Sequence, residues 1–376
     1  MKKDFIYGAD VSSLLTVEEL GGTFSNTKGE KEDLFKILKS NGFNLARIRL
    51  FVNPATNKGV SYGGGHNNLE TALRLAKRAV TAGFKLLLNI HYSDFWATAN
   101  NQVLPKEWTK LDFADLEYKV YEYTKEVVNA FTSENLCLDY IQVGNEVNRG
   151  ILWPFAKVFK GKKPRANGYD CLAILLNAGI KAIREASPTT KIMIHISDGG
   201  NPEACAEFLH EMEPRLFKFD ALGLSYYPYF HGELSELEAS LLFIATYYPY
   251  ERFIVETSYP YDDGDEVTIV TKKKYPPKSG LPGYTALGQQ RYLESLFEIA
   301  TAGNIKGICY FEPGWINVEG LTWATVEGLK YLKQKNLPIG NVWFNQALFS
   351  KTGLALQALA VKKNLEKKTK KEAKAK

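Results

Sequence analysis

The residues best suited to chemistry in this chain stand where an apolar strand pattern ends on an amide and a carboxylate. Residues 139–147 read DYIQVGNEV, with Ile141 and Val143 as apolar fill before Asn145 and Glu146. In a parallel α/β barrel, the carboxyl end of each strand lies on the active face. The segment therefore predicts polar chemistry at that face. On its own it also fits an ordinary exit from a strand into a turn, where Asn and Glu are common.

A second carboxylate, Glu256, ends a later apolar run at residues 253–257. Counted in βα units, Glu146 and Glu256 end strands four and seven, which face each other across the mouth of an eight-stranded barrel. Two facing carboxylates suit glycoside cleavage, because one can protonate the leaving oxygen while the other attacks the anomeric carbon. A separation of about 5 Å predicts retention of configuration, and a wider one predicts inversion.

The remaining polar and aromatic candidates also fall at strand ends, which predicts one ring of side chains around the mouth rather than scattered polar positions. They are Asp10 in strand one, Arg47 and Arg49 in strand two, His91, Asp94 and Trp96 at the end of strand three, His195 in strand five, Tyr226 and Tyr227 at the end of strand six, and Glu312 and Trp315 at the end of strand eight.

Two of these candidates, Arg47 and Arg49, share one face of their strand because side chains alternate. Arginines that point into a barrel need carboxylate partners, since an unpaired buried charge is costly. Glu146 and Glu256 are the partners that we expect. Outward salt bridges to a helix are the alternative for either arginine alone.

The histidines allow several roles. His91 and His195 could bind sugar hydroxyls, orient a carboxylate, or be core histidines with satisfied hydrogen bonds. A metal site with Asp10 and Asp94 as further ligands is another reading, and their position at strand ends favours a polar role in or beside the site.

Eight apolar runs alternate with helical patterns, which predicts an α/β fold closed into a single-domain (β/α)8 TIM barrel. The predicted strands are 5–10, 46–51, 85–92, 140–146, 191–197, 221–227, 253–257 and 307–312. The predicted helices are 32–39, 68–82, 116–131, 170–185, 202–212, 234–246 and 288–302. We place the catalytic domain at 1–361 and a disordered, Lys-rich tail at 362–376.

The charge of the chain is concentrated at its end. The formal net charge is +5, but the last fifteen residues hold eight Lys and two Glu, so the rest of the chain carries about −1. A near-neutral body argues against a nucleic-acid partner. No apolar run reaches transmembrane length, so we expect no membrane partner. We also expect a monomer. The N-terminus lacks a signal-peptide pattern, so we expect a cytoplasmic protein, or a secreted one from which a leader was removed.

One acidic stretch could bind a structural calcium ion. Residues 262–266 read DDGDE, which clusters several hard oxygens. The spacing differs from that of a known calcium loop, so we favour a solvated loop, and we predict no other metal site.

An ordered set of motifs resembles glycoside hydrolase family 53, the endo-β-1,4-galactanases of clan A. The motifs are GADVSS at 8–13, RIRLFVNP at 47–54, HYSDFW at 91–96, QVGNEV at 142–147, GILWP at 150–154, LGLSYYP at 222–228, VETSYP at 255–260, YFEPGW at 310–315 and NQALF at 345–349. The resemblance covers residues 5–360. The Asn-Glu pair alone is shared across the clan, but the full ordered set is specific.

The resemblance implies a retaining enzyme that cleaves β-1,4-galactan or galacto-oligosaccharides by double displacement and needs no cofactor. It implies that Glu146 is the proton donor, that Glu256 is the nucleophile, and that Asn145 binds the sugar 2-hydroxyl. The alternatives are another clan A activity, such as a mannanase or β-galactosidase, and a sugar-binding barrel without catalysis.

The chain departs from the family pattern at three places near the predicted site. Phe51 stands where the family usually has Trp, residues 96–99 read WATA in place of WADP, and Phe230 stands where Trp usually precedes His-Gly. These positions resemble sugar platforms, so the departures bear on the preferred chain length of the substrate.

Overall fold

The computed structural model describes residues 4–334 and 336–375. Eight parallel strands close into a barrel in which each strand pairs with its neighbours in the chain and β8 pairs with β1. The strands are β1 Ile6–Asp10, β2 Leu45–Leu50, β3 Lys85–Ile90, β4 Tyr140–Val143, β5 Lys191–Ile196, β6 Ala221–Ser225, β7 Glu251–Thr257 and β8 Gly307–Tyr310. The predicted TIM barrel is confirmed.

Helices separate the strands and cover the outside of the barrel. They are α1 Leu14–Glu19, α2 Leu34–Ser40, α3 Leu69–Thr81, α4 Phe113–Ser133, α5 Gly168–Ala186, α6 Pro202–Met212, α7 Pro228–His231, α8 Leu234–Tyr247, α9 Ala286–Ala302, α10 Val326–Leu332 and α11 Val361–Ala375. Side-chain caps begin several of them: Asn68 accepts from Thr71 N at α3, and Asp112 accepts from Asp115 N at α4.

The inside of the barrel changes from apolar to polar along the strands. An apolar layer near the amino ends of the strands comprises Ile6, Leu45, Leu87, Tyr140, Met193, Ala221, Phe253, Val255 and Cys309. Alternation then places Arg47 and Arg49 on the same inward face as Leu45, nearer the mouth. Both arginines are fully buried, which supports the inward reading.

The prediction of a disordered tail from residue 362 is corrected by the last helix, Val361–Ala375. Lys, Ala and Glu are good helix formers, so this composition continues a helix once its first turn is held. That turn is held because Val361 is buried and the Lys362 ammonium pairs with Glu366 at 2.7 Å. None of the helices in the described ranges is long and apolar enough to cross a membrane.

Candidate active site

A cleft of about 380 Å³ opens at the carboxyl ends of the strands, and Glu146 and Glu256 both line it. A carboxylate oxygen of each and a ring nitrogen of His195 all lie within 4.8 Å of one another. This separation is in the range that retaining glycosidases use. The aromatic residues that line the cleft are Trp96, Tyr227, Phe230, Phe311, Trp315, Trp323 and Trp343.

Arg47 holds four side chains of the site at once. Its Nε donates to Gln142 Oε1 at 2.8 Å, and its Nη1 pairs with Asp10 Oδ2 at 2.8 Å. Its Nη2 donates to Asn145 Oδ1 at 3.2 Å and pairs with Glu256 Oε1 at 2.7 Å. Because a guanidinium is planar and rigid, one residue sets the positions of an amide on β4 and a carboxylate on β7.

Arg49 connects the first strand to the last. Its Nη1 lies 3.0 Å from Asp10 Oδ1 and 2.6 Å from Glu312 Oε1. The Ser13 amide and hydroxyl donate to Glu312 at 3.1 and 2.5 Å. The expectation that Glu146 would pair with an arginine is therefore wrong within the described part of the chain. Asp10 and Glu312 pair with the arginines instead, because their carboxyl groups lie at the same depth in the barrel as the guanidinium groups.

Burial and the arginines act in opposite directions on the pKa values of Glu312 and Asp10. Burial raises the pKa of Glu312 to about 8; Arg49 opposes the rise and the charge of Asp10 adds to it. Burial also acts to raise the pKa of Asp10, but Arg49 and Arg47 outweigh it, so this pKa lies below its usual value. The two buried arginines thus face the carboxyl groups of Asp10, Glu256 and Glu312, and each guanidinium has a partner of opposite charge.

Glu146 lies at the turn after β4, in a backbone conformation that is uncommon for a residue other than glycine, with φ of 50°. The Ala99 amide donates to its Oε2 at 3.1 Å, and Ser225 Oγ lies 2.8 Å from its Oε1. Burial and the charge of Glu256 raise the pKa of Glu146 to about 7, against the hydrogen bonds of Ser225 and Ala99. This carboxyl is therefore suited to carry a proton.

Glu256 faces a guanidinium group and a hydroxyl group. It is 7% exposed, and one of its oxygens faces the Arg47 guanidinium. The Tyr227 hydroxyl donates to Glu256 Oε2 at 3.1 Å. A cation at contact distance and a hydroxyl donor both stabilise an ionised carboxylate. The two glutamates thus have opposite surroundings, as an acid and a nucleophile need.

Asn145 is oriented by its neighbours. Its Oδ1 accepts from Arg47, from Asn89 Nδ2 at 2.8 Å and from His195 Nδ1 at 3.0 Å, and its Nδ2 donates to the Ala97 carbonyl at 2.9 Å. Burial and Arg47 lower the pKa of His195 well below its usual value, so the ring is neutral at physiological pH. His195 therefore orients an amide, that of Asn145, and has a partner at each ring nitrogen, which fits the expected role of a buried histidine with satisfied hydrogen bonds.

His91 and Trp96 line the cleft, as predicted, and Phe51 lies behind them. The Phe51 ring contacts the His91 and Trp96 rings edge-on, with centroids 5.1 and 5.4 Å away, and it is fully buried. Trp96 in turn covers the Arg49 guanidinium at 4.4 Å. Phe51 thus supports the aromatic wall instead of forming a sugar platform, whereas Phe230 lines the cleft itself.

Two predicted site residues support loops and are outside the cleft lining in the described chain. Asp94 accepts from the backbone amides of Asn53 and Lys106 at 3.0 and 2.8 Å. The Tyr226 hydroxyl donates to the Gly232 carbonyl at 3.0 Å, whereas Tyr227 lines the cleft. The backbone is still extended at Tyr227, just after β6, so these neighbouring side chains point to opposite sides.

The acidic loop does not form a cation cage in the described chain. Asp262 pairs with Lys351 at 3.3 Å, Asp263 accepts from the Lys272 amide at 2.5 Å, and Asp265 accepts from amides of its own turn. These carboxylates therefore face separate partners. The metal reading of the histidines also fails geometrically, because Asp10 faces two arginines and Asp94 faces Lys106.

Some residues of the site were missed from the sequence. Asn89 and Gln142 pair in register with Arg49 across β2, β3 and β4, so alternation applied to every strand would have found them. Ser225 pairs with Glu256 and could have been found in the same way. Trp323 belongs to a loop without periodicity, and no local signal marks it.

Replacement of Arg47 by Lys tests the network. One ammonium cannot reach both carboxylates and both amides, so a buried charge loses its partner. We expect a loss of about 3–5 kcal/mol in the free energy of unfolding, measured by urea denaturation. Arg78→Lys is the control, because Arg78 is partly exposed where it pairs with Glu18 and Asp33, and we expect a change of about 1 kcal/mol or less there. Equal losses in the free energy of unfolding in both variants would show that the buried network contributes no more than a partly exposed ion pair.

This chain is similar to known proteins over most of its length. The model of the family described as glycosyl hydrolase family 53 matches residues 6–362. An endo-β-1,4-galactanase of Bacillus subtilis is 34% identical, over 96% of this chain and 86% of the relative. The arabinogalactan endo-β-1,4-galactanase A of Aspergillus niger is 32% identical, over 86% of this chain and 89% of the relative.

A solved structure is also similar along its whole length. The GH53 catalytic domain of Ignisphaera aggregans superposes with a TM-score of 0.86 at 31% identity, and the match covers 96% of each chain. The similarity therefore includes the barrel and its loops.

Proposed function

The chain belongs to glycosyl hydrolase family 53, and on that premise we propose that it is an endo-β-1,4-galactanase that retains the configuration of the anomeric carbon. The observation that carries the proposal is the pair Glu146 and Glu256, whose facing oxygens lie within 4.8 Å in opposite electrostatic surroundings. An open cleft lined by aromatic rings suits binding within a long sugar chain, since such rings cover the apolar faces of sugars.

The proposed reaction has two steps. In the first, Glu256 attacks the anomeric carbon while Glu146 gives its proton to the oxygen that joins the two galactose units. This breaks the glycosidic bond and forms a glycosyl ester on Glu256. In the second, Glu146 takes a proton from water while the water oxygen attacks the anomeric carbon, the bond from that carbon to Glu256 breaks, and Glu256 leaves as a carboxylate. Both groups come from this one chain, so the reaction needs no cofactor and is compatible with a monomer.

The buried network prepares the site for this reaction. Arg47 pairs with Glu256 and directs Asn145, whose amide is then placed to bind the hydroxyl beside the anomeric carbon. Such a contact strengthens in the transition state of glycoside hydrolases. Since Arg47, Asp10 and Arg49 are buried, substrate binding does not have to order them.

Incubation with β-1,4-galactan tests the proposal. We expect internal cleavage that releases a range of oligosaccharides, with β-anomers as the first products in proton NMR spectra. Degradation of β-mannan with galactan left intact would assign the chain to another clan A activity. Tight binding of galactan without new reducing ends would indicate a sugar-binding barrel.

The pH profile should show the proton on Glu146. Its acid form is needed in the first step, and its pKa is raised to about 7, so the acid form is lost as the pH rises through that value. We expect kcat/KM to fall about tenfold per pH unit above this limb. The measurement is the initial rate on galactan between pH 4 and pH 9. After each exposure the enzyme is returned to neutral pH and assayed again, which distinguishes titration from irreversible inactivation. An alkaline limb near the ordinary pKa of glutamate would contradict the assignment.

A further inference from the structure

The Glu146 carboxyl is contacted from two sides by groups of different kinds. The Ala99 amide donates to Oε2 at 3.1 Å, and the Ser225 hydroxyl lies 2.8 Å from Oε1. An amide N–H can only donate, whereas a hydroxyl can donate or accept. The Ala99 N–H thus faces Oε2 in either protonation state of Glu146, and this disfavours a proton on Oε2. The proton of the acid form therefore belongs on Oε1.

The tautomer of His195 completes this arrangement. Asn145 Oδ1 accepts from His195 Nδ1, so the ring proton is on Nδ1 and Nε2 is left as an acceptor, 2.9 Å from Ser225 Oγ. When Glu146 is protonated, its Oε1–H can donate to Ser225, and Ser225 can donate to His195. When Glu146 has lost its proton, the Ser225 hydroxyl can turn and donate to Oε1.

We propose that the Ala99 amide and the Ser225 hydroxyl are positioning groups that assign the catalytic proton to Oε1 of Glu146. The Ser225 hydroxyl accepts a hydrogen bond from the acid form of Glu146 and donates one to its carboxylate form. Glu146 must act first as an acid and then as a base, so a partner that suits both forms helps both steps. The inference rests on the proposed function for its kinetic test, but its structural test does not need activity.

Position 99 offers a conservative way to remove one donor. Thr98 and Asn101 exchange backbone hydrogen bonds of 2.8 and 3.0 Å, so Ala99 is the second residue of a tight turn. Proline is favoured at that position of common turns, and Thr98 before it takes part in an extended bridge, which proline tolerates. Ala99→Pro should therefore keep the turn and remove the N–H, and the ring Cδ then stands beside Oε2 of Glu146 in its place.

The charged and titratable groups around Glu146 stay the same in these variants. They are Glu256 on β7, His195 and Asp198 at the end of β5, Tyr227 after β6, His231 in α7, and Arg149 in the turn after β4. Ser225 Oγ also lies 3.5 Å from Glu256 Oε2, so Ala99→Pro is the variant that leaves the contacts of Glu256 unchanged.

The test compares the pH dependence of kcat/KM on galactan for wild type, Ala99→Pro and Ser225→Ala. A hydrogen bond to a carboxylate is stronger than one to its neutral acid, so loss of the Ala99 N–H should move the alkaline limb up by about one pH unit, and loss of the Ser225 hydroxyl, which binds both forms, should move it up by less. Ser225→Cys keeps the shape with a weaker donor and should shift the limb less than Ser225→Ala does. Ser258→Ala is the matched control, since this buried serine after β7 donates to Gln346 and should leave the limb in place.

The titration of Glu146 can also be followed directly, by carbon NMR of carboxyl-labelled glutamate, with Glu146→Gln used to assign its signal. We expect the upward shifts of Ala99→Pro and Ser225→Ala to appear in this signal too, whether or not galactan proves to be the substrate. A uniform loss of rate with an unmoved limb and an unmoved signal would overturn the proposal and leave only a packing role. If circular dichroism shows that Ser225→Ala is not folded, Ser225→Cys and Ala99→Pro test the proposal in its place.

Discussion

Glu256→Ala should abolish hydrolysis of galactan while leaving the fold intact. The loss of a covalent nucleophile typically lowers kcat by about 10⁵-fold or more. In this chain the substitution also leaves the Arg47 guanidinium with Asp10 as its carboxylate partner, so the cation remains paired in the absence of Glu256. The barrel should therefore tolerate the change, and the rate should report on chemistry.

Added azide separates a missing nucleophile from a damaged site. The space left by the Glu256 carboxylate faces the anomeric carbon from the side opposite the leaving group. Azide bound there should attack an activated aryl β-galactoside in a single displacement and give an α-galactosyl azide. The measurement is proton NMR of the product together with release of the phenol.

Glu251→Gln is the matched control for this variant. Glu251 belongs to the same strand but lies at its other end, where it pairs with Lys191 and accepts from Tyr140 at 2.8 Å. We expect activity within a few-fold of wild type there. Residual galactan hydrolysis by Glu256→Ala above about 1% of wild type, without azide, would assign the nucleophile to another residue.

The barrel and the two carboxylates could be predicted because each depends on local patterns. Apolar runs alternate with helical periodicity, and a strand that ends on a carboxylate is visible in one stretch of sequence. Alternation placed both arginines on one face, and the other polar strand ends favoured the inward face. Glu256 was expected as a partner and pairs with Arg47, but Asp10 and Glu312 were not expected, because their contacts depend on how β8 closes against β1.

Part of the support around Glu146 was beyond sequence patterns for a different reason. Ala99 acts through its backbone, so its side chain gives no signal, whereas Ser225 could have been found from its register with Glu256. The positive φ of Glu146 is equally hidden, since glutamate is not a residue that prefers the left-handed region. Such backbone features concentrate at functional sites and are seen only in the folded chain.

The second large effect is the loss of hydrolysis rate in Glu146→Ala, and its size should depend on the leaving group of the substrate. Galactan needs a proton on its leaving oxygen, so we expect hydrolysis to fall by about 10⁴-fold, the upper range for general acid catalysis. A dinitrophenyl galactoside departs without protonation, so formation of the glycosyl-enzyme should be nearly as fast as in wild type. The measurement is kcat/KM on both substrates, and the ratio between them is an internal control for folding.

The second step of the reaction makes the prediction sharper. Without Glu146 no base activates water, so the glycosyl-enzyme formed from the aryl substrate should accumulate as a burst, with kcat and KM both lowered. Azide needs no base, and it should enter where water normally does, restore turnover and give a β-galactosyl azide. The two variants should thus yield azides of opposite configuration, α from Glu256→Ala and β from Glu146→Ala. If Glu146→Ala instead slowed the aryl substrate as much as galactan, Glu146 would not be the proton donor, because no other role of this carboxyl distinguishes leaving groups in this way.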